Sequence, residues 1–147
     1  MKRLIRAQLY ILMRAVFRLT LRVIAVTAKK VKDVDWHSSG RVGAICGFKM
    51  LNVCLFEGNI NSDVFYAWLT KELFFSLPEK AVIVLDNATF HKRSDSIQAI
   101  QNEGHTVLFL PPYSPDLNPI EKKWAQAKNI RKKHRCSPYE LFRNFVT

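Results

Sequence analysis

A chain of 147 residues and 17.0 kDa is sized for one domain around one core, and 48% hydrophobic with 24% charged residues excludes a disordered or fibrous polymer. Lys and Arg number 23 against 12 Asp and Glu, a formal charge of +11 and a pI near 9.9, so the protein's field attracts polyanions. Cys46, Cys54 and Cys136 show no C-x-x-C spacing, which excludes a zinc knuckle or disulfide framework and fits a reduced, cytoplasmic setting; no apolar run reaches the roughly 20 residues of a membrane span.

Residues 1–34 carry nine Lys/Arg and one acid, Asp33, a net +8, whereas residues 35–147 carry a net +3. The first segment has no Gly, Pro or Asn, and sets Arg3, Arg6, Arg14, Arg18 and Arg22 among aliphatic residues. Four readings of it stand: a basic amphipathic helix for a membrane surface, an organelle-targeting presequence, an ordinary helix covering the domain, or a segment out of reading frame with the rest of the chain.

Beyond residue 40 the patterning becomes regular. Arg41–Phe48 and Leu51–Phe56 are short apolar, β-branched runs that predict a hairpin turning at Lys49 and Met50. Asn61 or Ser62 caps a predicted helix reaching about Leu77, with Val64, Phe65, Trp68, Leu69, Leu73 and Phe74 at helical spacing. Ala81–Leu85 (AVIVL) reads as a strand buried on both faces, as in a parallel sheet, and ends in Asp86. Ser94 or Asp95 opens a short helix ending near Gly104, and Thr106–Leu110 is a second buried strand. The four-proline connector PPYSPDLNP leads into a helix opening at Pro119, and Ser137-Pro138 starts a last helix to about Phe145.

Two carboxylates stand where these elements end. Asp86 closes a buried strand, at the end where α/β sheets place ligands. Glu121, 34 intervening residues later, stands in the first turn of the helix after the connector. Each also has a local explanation: Asp86-Asn87 forms an Asx-turn, and Glu121 completes a capping box with Asn118. From spacing alone the local explanations are favoured.

The connected stretches VIVLDNATFHKR and FLPPYSPDLNPIEKKWAQAK closely resemble the catalytic core of DDE transposases of the mariner superfamily, in its bacterial insertion-sequence branch. The resemblance covers about Asp35 to Phe145 and implies an α/β fold, a ribonuclease-H-like mixed sheet flanked by helices, over residues 35–147. It implies that Asp86 and Glu121 are catalytic acids and ligands of Mg²⁺ or Mn²⁺, carboxylates being the hard donors such ions take. His91, in the D-N-x-x-x-H stretch, is an accessory candidate for phosphate or a metal-bound water, or else stabilises a turn. Asp116 reads as a local turn former. Lys122, Lys123, Lys128, Arg131, Lys132, Lys133 and Arg135 form a basic helix face suited to DNA phosphates, its alternative being a merely solvated surface. Trp124 and Ile120 are expected in the core, with Cys46 and Cys54 as buried small apolar residues. The implied partners are transposon-end and target DNA, with a homodimer or an intact transposase as protein partner; no membrane is expected, and the implied location is the bacterial cytoplasm, at the nucleoid.

One feature of that family is missing. Its members carry a first catalytic Asp in an Asp-Glu-Ser-Gly-Phe motif on the first, central strand, and no such motif occurs here. Codons for Phe-Asp-Glu-Ser-Gly-Phe read from the second base can give Leu-Met-Arg-Ala-Val, which is Leu12 to Val16. The expectation is therefore a frameshifted or N-terminally truncated remnant that lacks its first central strand and is inactive. Unpaired neighbouring strands would then bare their ladder groups and favour aggregation. The alternative is a non-catalytic DNA-binding protein that inhibits an intact transposase, and a third reading is a peripheral membrane protein through residues 1–30.

Overall fold

Strands rich in β-branched and small residues, RVIAVTAKK and AVIVL, build the middle of this protein. A computed structural model describes residues 22–30, 39–47, 49–58 and 60–144. Its sheet has five strands, β1 (Arg22–Lys30), β2 (Ser39–Cys46), β3 (Lys49–Glu57), β4 (Ala81–Leu85) and β5 (Thr106–Phe109), in the order β3-β2-β1-β4-β5. β1 pairs antiparallel with β2 and parallel with β4, and β5 adds parallel to β4.

The central strand is therefore present, which corrects the expectation that it is missing. RVIAVTAKK occupies the middle of the sheet, and Ile24, Ala25 and Val26 are buried. The helix-like spacing of Arg14, Arg18 and Arg22 concealed it. Burial on both sides favours β-branched side chains that pack on a pleated surface, and each full burial contributes about 1.5–3 kcal/mol. The ladders of β2 and β4 facing β1 are paired, so the expected bare edges and their aggregation hazard are absent at that position. Asp33, Asp35 and the Leu12–Val16 coincidence lie outside the described residues, as do the readings of residues 1–21.

The hairpin turns at Gly47, two residues earlier than predicted, because Gly47 takes φ 61, a left-handed conformation without steric cost for glycine. A bulge between Ala44 and Ile45 absorbs the offset in the β2–β3 register. The helix after β3 begins as α1 (Ser62–Trp68), where Asn61 Oδ1 accepts from the Val64 N–H at 2.9 Å. It continues through a π-helical stretch, Leu69–Leu73, and a last turn, Phe74–Ser76. α2 (Ser94–Asn102) follows β4, α3 (Ile120–His134) follows β5, and α4 (Pro138–Asn144) closes the described chain.

Helices cover both faces of the sheet. On one face Ile24, Val26, Val42, Ile83 and Leu85 pack against Phe65, Trp68, Leu69 and Leu73 of the α1 segment and Ile100 of α2. On the other, Ala25, Ile45 and Met50 pack under Ile120, Trp124 and Ala127 of α3 and Leu141 of α4. Cys46 and Cys54 are only half-buried; they lie at the margin of the first core rather than within it. No helix among the described residues is long and apolar enough to cross a membrane.

Candidate active site

A cleft of about 390 Å³ opens at the carboxyl end of β4, lined by Asp86, Asn87, Ala88, the connector residues Leu110 to Pro115, Asn118 and Glu121. The structure thus brings the two sequence-predicted acids to one cavity. Asp86 arrives because its strand ends there. Glu121 arrives because the connector runs from β5, whose Leu110 N–H donates to the Leu85 carbonyl at 2.8 Å, directly into the first turn of α3.

Asp86 is held from within. Its Oδ1 accepts from the Ala88 N–H at 3.2 Å, the expected Asx-turn, and lies 2.7 Å from Nδ1 of His91. His91 is fully buried, and its ring lies 4.4 Å from that of Phe65 on α1. The ring thus contacts Asp86 on one side and Phe65 of the core on another. The 3-10 turn Thr89–Lys92 that carries His91 leads directly to Arg93, which pairs with Asp63 on α1 and, at 2.6 Å, with Asp95 on α2. The guanidinium holds the Asp95 carboxyl below its ordinary range.

Glu121 is positioned by Asn118. The Asn118 side-chain amide donates to the Val26 carbonyl of β1 at 3.2 Å, and its Oδ1 accepts from the Ile120 N–H at 3.4 Å. The Glu121 N–H donates to the Asn118 carbonyl at 3.1 Å. The Asn118 side chain thus accepts from Ile120 rather than from the Glu121 N–H of the expected capping box, and its bond to the central strand was not legible. Asp116 is exposed in the turn Pro115–Leu117 and does not line the cleft.

The central strand brings no third acid. Its pairing with β4 ends at Val26 opposite Leu85, so the next residue, Thr27, continues the strand where β4 gives way to Asp86. Arg22–Lys30 contains no Asp or Glu. Among the described residues no group of three or more His, Cys, Asp or Glu is placed to hold a metal ion. Asp86 and Glu121 are hard oxygen donors of the kind Mg²⁺ or Mn²⁺ takes. Among the described residues these two carboxylates line the cleft, fewer than the pair of ions that clamps both oxygens of a phosphodiester displacement ordinarily takes.

The basic helix divides by face. Ile120, Trp124 and Ala127 turn inward, while Lys122, Lys128, Lys132 and Lys133 are exposed and Lys123 and Arg131 half-buried. Arg131, Lys132, Arg135 and Cys136 line a second hollow of about 320 Å³ where α3 ends, with Arg135 left-handed at φ 49. Trp124 packs edge-on to Phe142, and the Arg41 guanidinium lies 4.7 Å from its ring centre.

A mixed five-stranded sheet, helices on both faces and carboxylates at the end of β4 and the start of α3 define a ribonuclease-H-like fold. The family described as DDE superfamily endonuclease matches residues 28–140, and the chain belongs to it. The fold is similar to the Mos1 transposase catalytic domain solved with raltegravir and Mg, with TM-score 0.67 and 17% identity over 92% of this chain and 75% of that one. It is also similar to the Mos1 strand transfer complex, with TM-score 0.69 and 16% identity over 95% of this chain but only 49% of that one. A simian T-cell lymphotropic virus intasome matches at TM-score 0.54 and 12% identity over 83% of this chain and 46% of that one. No curated protein matches the sequence.

Proposed function

We propose that this chain is a transposase-type DDE domain that engages DNA across α3 and the Asp86–Glu121 cleft without cutting it. One observation carries the reading: β1 runs beside the strand ending in Asp86 and contributes no carboxylate. The cleavage chemistry of such domains, with Asp86 and Glu121 as the acids and Mg²⁺ or Mn²⁺ as the ions they would bind, is therefore reduced to its DNA-binding part. Lys122, Lys123, Lys128, Arg131, Lys132 and Lys133 supply the cations that displace counterions from a phosphate backbone. A change of reading frame upstream accounts for a family fold whose first acidic motif is gone, and the nucleotide sequence of the first 35 codons read in three frames tests that origin.

The absent carboxylate and the retained basic face also favour a second reading, in which the chain occupies transposon ends at the bacterial nucleoid and so competes with, or pairs with, an intact transposase. The experiment for the first reading incubates purified 1–147 with Mg²⁺ or Mn²⁺ and duplexes carrying the element's own ends, beside Asp86→Ala and Glu121→Ala. Salt-sensitive binding without nicking is expected. End-specific nicking abolished by Asp86→Ala overturns the non-cleaving assignment, and adding an intact transposase to the same duplexes reads the competition.

A further inference from the structure

The connector between β5 and α3 contains a residue that core packing does not explain. Tyr113 takes φ 55, a left-handed conformation that residues with a β-carbon seldom adopt, and it is 94% exposed. Strained backbone of this kind persists where the surrounding chain fixes it, and it gathers at ligand sites. Here Pro111, Pro112 and Pro115 restrict the chain on either side, and the Ser114 hydroxyl donates to the Pro112 carbonyl at 3.3 Å. Glycine would make the same turn without steric cost, and a small polar side chain would suit water better. A tyrosine there holds a flat aromatic face at the lip of the cleft that contains Asp86 and Glu121. Phe75 and Tyr139 are also exposed, at 86% and 70%, but neither lines that cleft nor has a left-handed backbone.

We propose that Tyr113 is a stacking platform for an unpaired nucleobase at a DNA end seated in the Asp86–Glu121 cleft, an inference that rests on the DNA-binding reading above. Every base offers a π-face, so the contact is tolerant of sequence. A base inside a duplex has both faces covered by its neighbours, so the contact selects frayed or overhanging ends over blunt, paired ones. The division of labour is physical: cations along α3 attract the backbone without choosing a position on it, whereas one stacked base sets which phosphodiester lies beside the carboxylates.

The test uses the full chain in EDTA, with a duplex bearing a short single-stranded overhang that contains 2-aminopurine, and a blunt duplex of equal length. The wild type is expected to quench the 2-aminopurine on binding. Tyr113→Ala abolishes the quench and weakens overhang binding about tenfold while changing blunt-duplex affinity less than about twofold. Tyr113→Phe keeps the quench, since the ring and not the hydroxyl is required. Tyr113→Gly, which adopts φ 55 freely, melts at an unchanged or higher Tm yet loses the quench, separating base contact from folding. Quench and affinity unchanged in Tyr113→Ala, loss of the quench in Tyr113→Phe, or an equal loss on the blunt duplex overturns the assignment. Overhang binding by the wild type with no quench overturns it while leaving the DNA-binding reading intact; no binding of either duplex at low salt overturns both.

Discussion

The side-chain amide of Asn118 donates to the main-chain carbonyl of Val26 at 3.2 Å, tying the residue three before Glu121 to the residue just before Thr27. Asn118 is nearly fully buried, so removing its amide leaves a buried carbonyl without this donor. Asn118→Ala is expected to destabilise the fold by about 1–3 kcal/mol, and Asn118→Asp by a similar amount despite keeping an acceptor for Ile120. Urea denaturation measures this. A midpoint unchanged in Asn118→Asp would mean that the bond to the central strand contributes nothing.

Gly43 on β2 lies beneath Trp124. A β-carbon added at Gly43 would meet the indole at 2.7 and 2.8 Å, closer than packed atoms come, and the indole is held on its other sides by Phe142 and Arg41. Gly43→Ala is therefore expected to cost about 1–3 kcal/mol by overpacking. Pairing it with Trp124→Leu, which makes room, should make the two effects less than additive in denaturant melts; strict additivity would mean that the ring moves aside freely.

The elements around the cleft were legible because their signals are local, whereas the pairing of Asp86 with Glu121 came from the family resemblance and not from spacing. AVIVL followed by Asp86 announces a buried strand and what it delivers, and the proline connector with Glu121 announces a fixed separation. What escaped depends on long-range pairing. RVIAVTAKK becomes a central strand only through β2 and β4 on either side, and nothing within nine residues encodes those neighbours. The motif offered His91 as a contact for phosphate or a metal-bound water, or as a turn stabiliser, and its burial against Asp86 by Phe65, 26 positions earlier, was not legible in it. Gly47 shows the same limit on a small scale: the turn fell at the residue able to take φ 61, against the apolar pattern that placed it at Lys49.

His105 links stability to pH. Its Nδ1 accepts from the Ala81 N–H at 3.2 Å, and burial pushes its pKa below the ordinary 6.5, outweighing the opposing pull of Glu103. The unfolded chain therefore binds this proton more tightly than the folded one. The contribution is fully present above about pH 6.5 and is lost as pH falls through that value toward the lower folded one. Denaturation midpoints at pH 7.5 and 5.5 should fall more for the wild type than for His105→Asn, which has an acceptor but no titration. Equal falls would assign the dependence to other groups.

Salt separates a DNA surface from a solvated one. Lys128, Lys132 and Lys133 are exposed on α3, so replacing all three with Ala leaves the core face of Trp124 and Ala127 untouched. Each lost phosphate contact flattens the slope of log K against log salt by about 0.9 on duplex DNA, so the triple variant should bind more weakly with a slope shallower by up to about 3. Fluorescence anisotropy across a salt series reads both quantities. Weaker binding with an unchanged slope would place the phosphate contacts elsewhere.

Placing a carboxylate on the central strand, which carries none over Arg22–Lys30, tests whether a third acid completes a metal site in the cleft. Thr27 follows Val26, whose partner Leu85 precedes Asp86, so position 27 of β1 is the strand position that adjoins the acid end of β4. Hard divalent cations bind more tightly as carboxylates are added, because each contributes an oxygen ligand and a negative charge. Thr27→Asp is expected to raise Mn²⁺ affinity by about tenfold or more over the wild type. The gain should disappear in the double variants Thr27→Asp with Asp86→Ala and Thr27→Asp with Glu121→Ala, because the new ligand works only with the old ones. Mn²⁺ titration followed by electron paramagnetic resonance measures this without any need for cleavage. Three like charges near one point repel in the absence of metal, so the single variant should also melt lower in EDTA than the wild type and recover with Mn²⁺. An affinity gain that survives Asp86→Ala would locate the bound ion away from this cleft, and a Thr27→Asp variant with no gain would show that β1 does not present position 27 to the two acids.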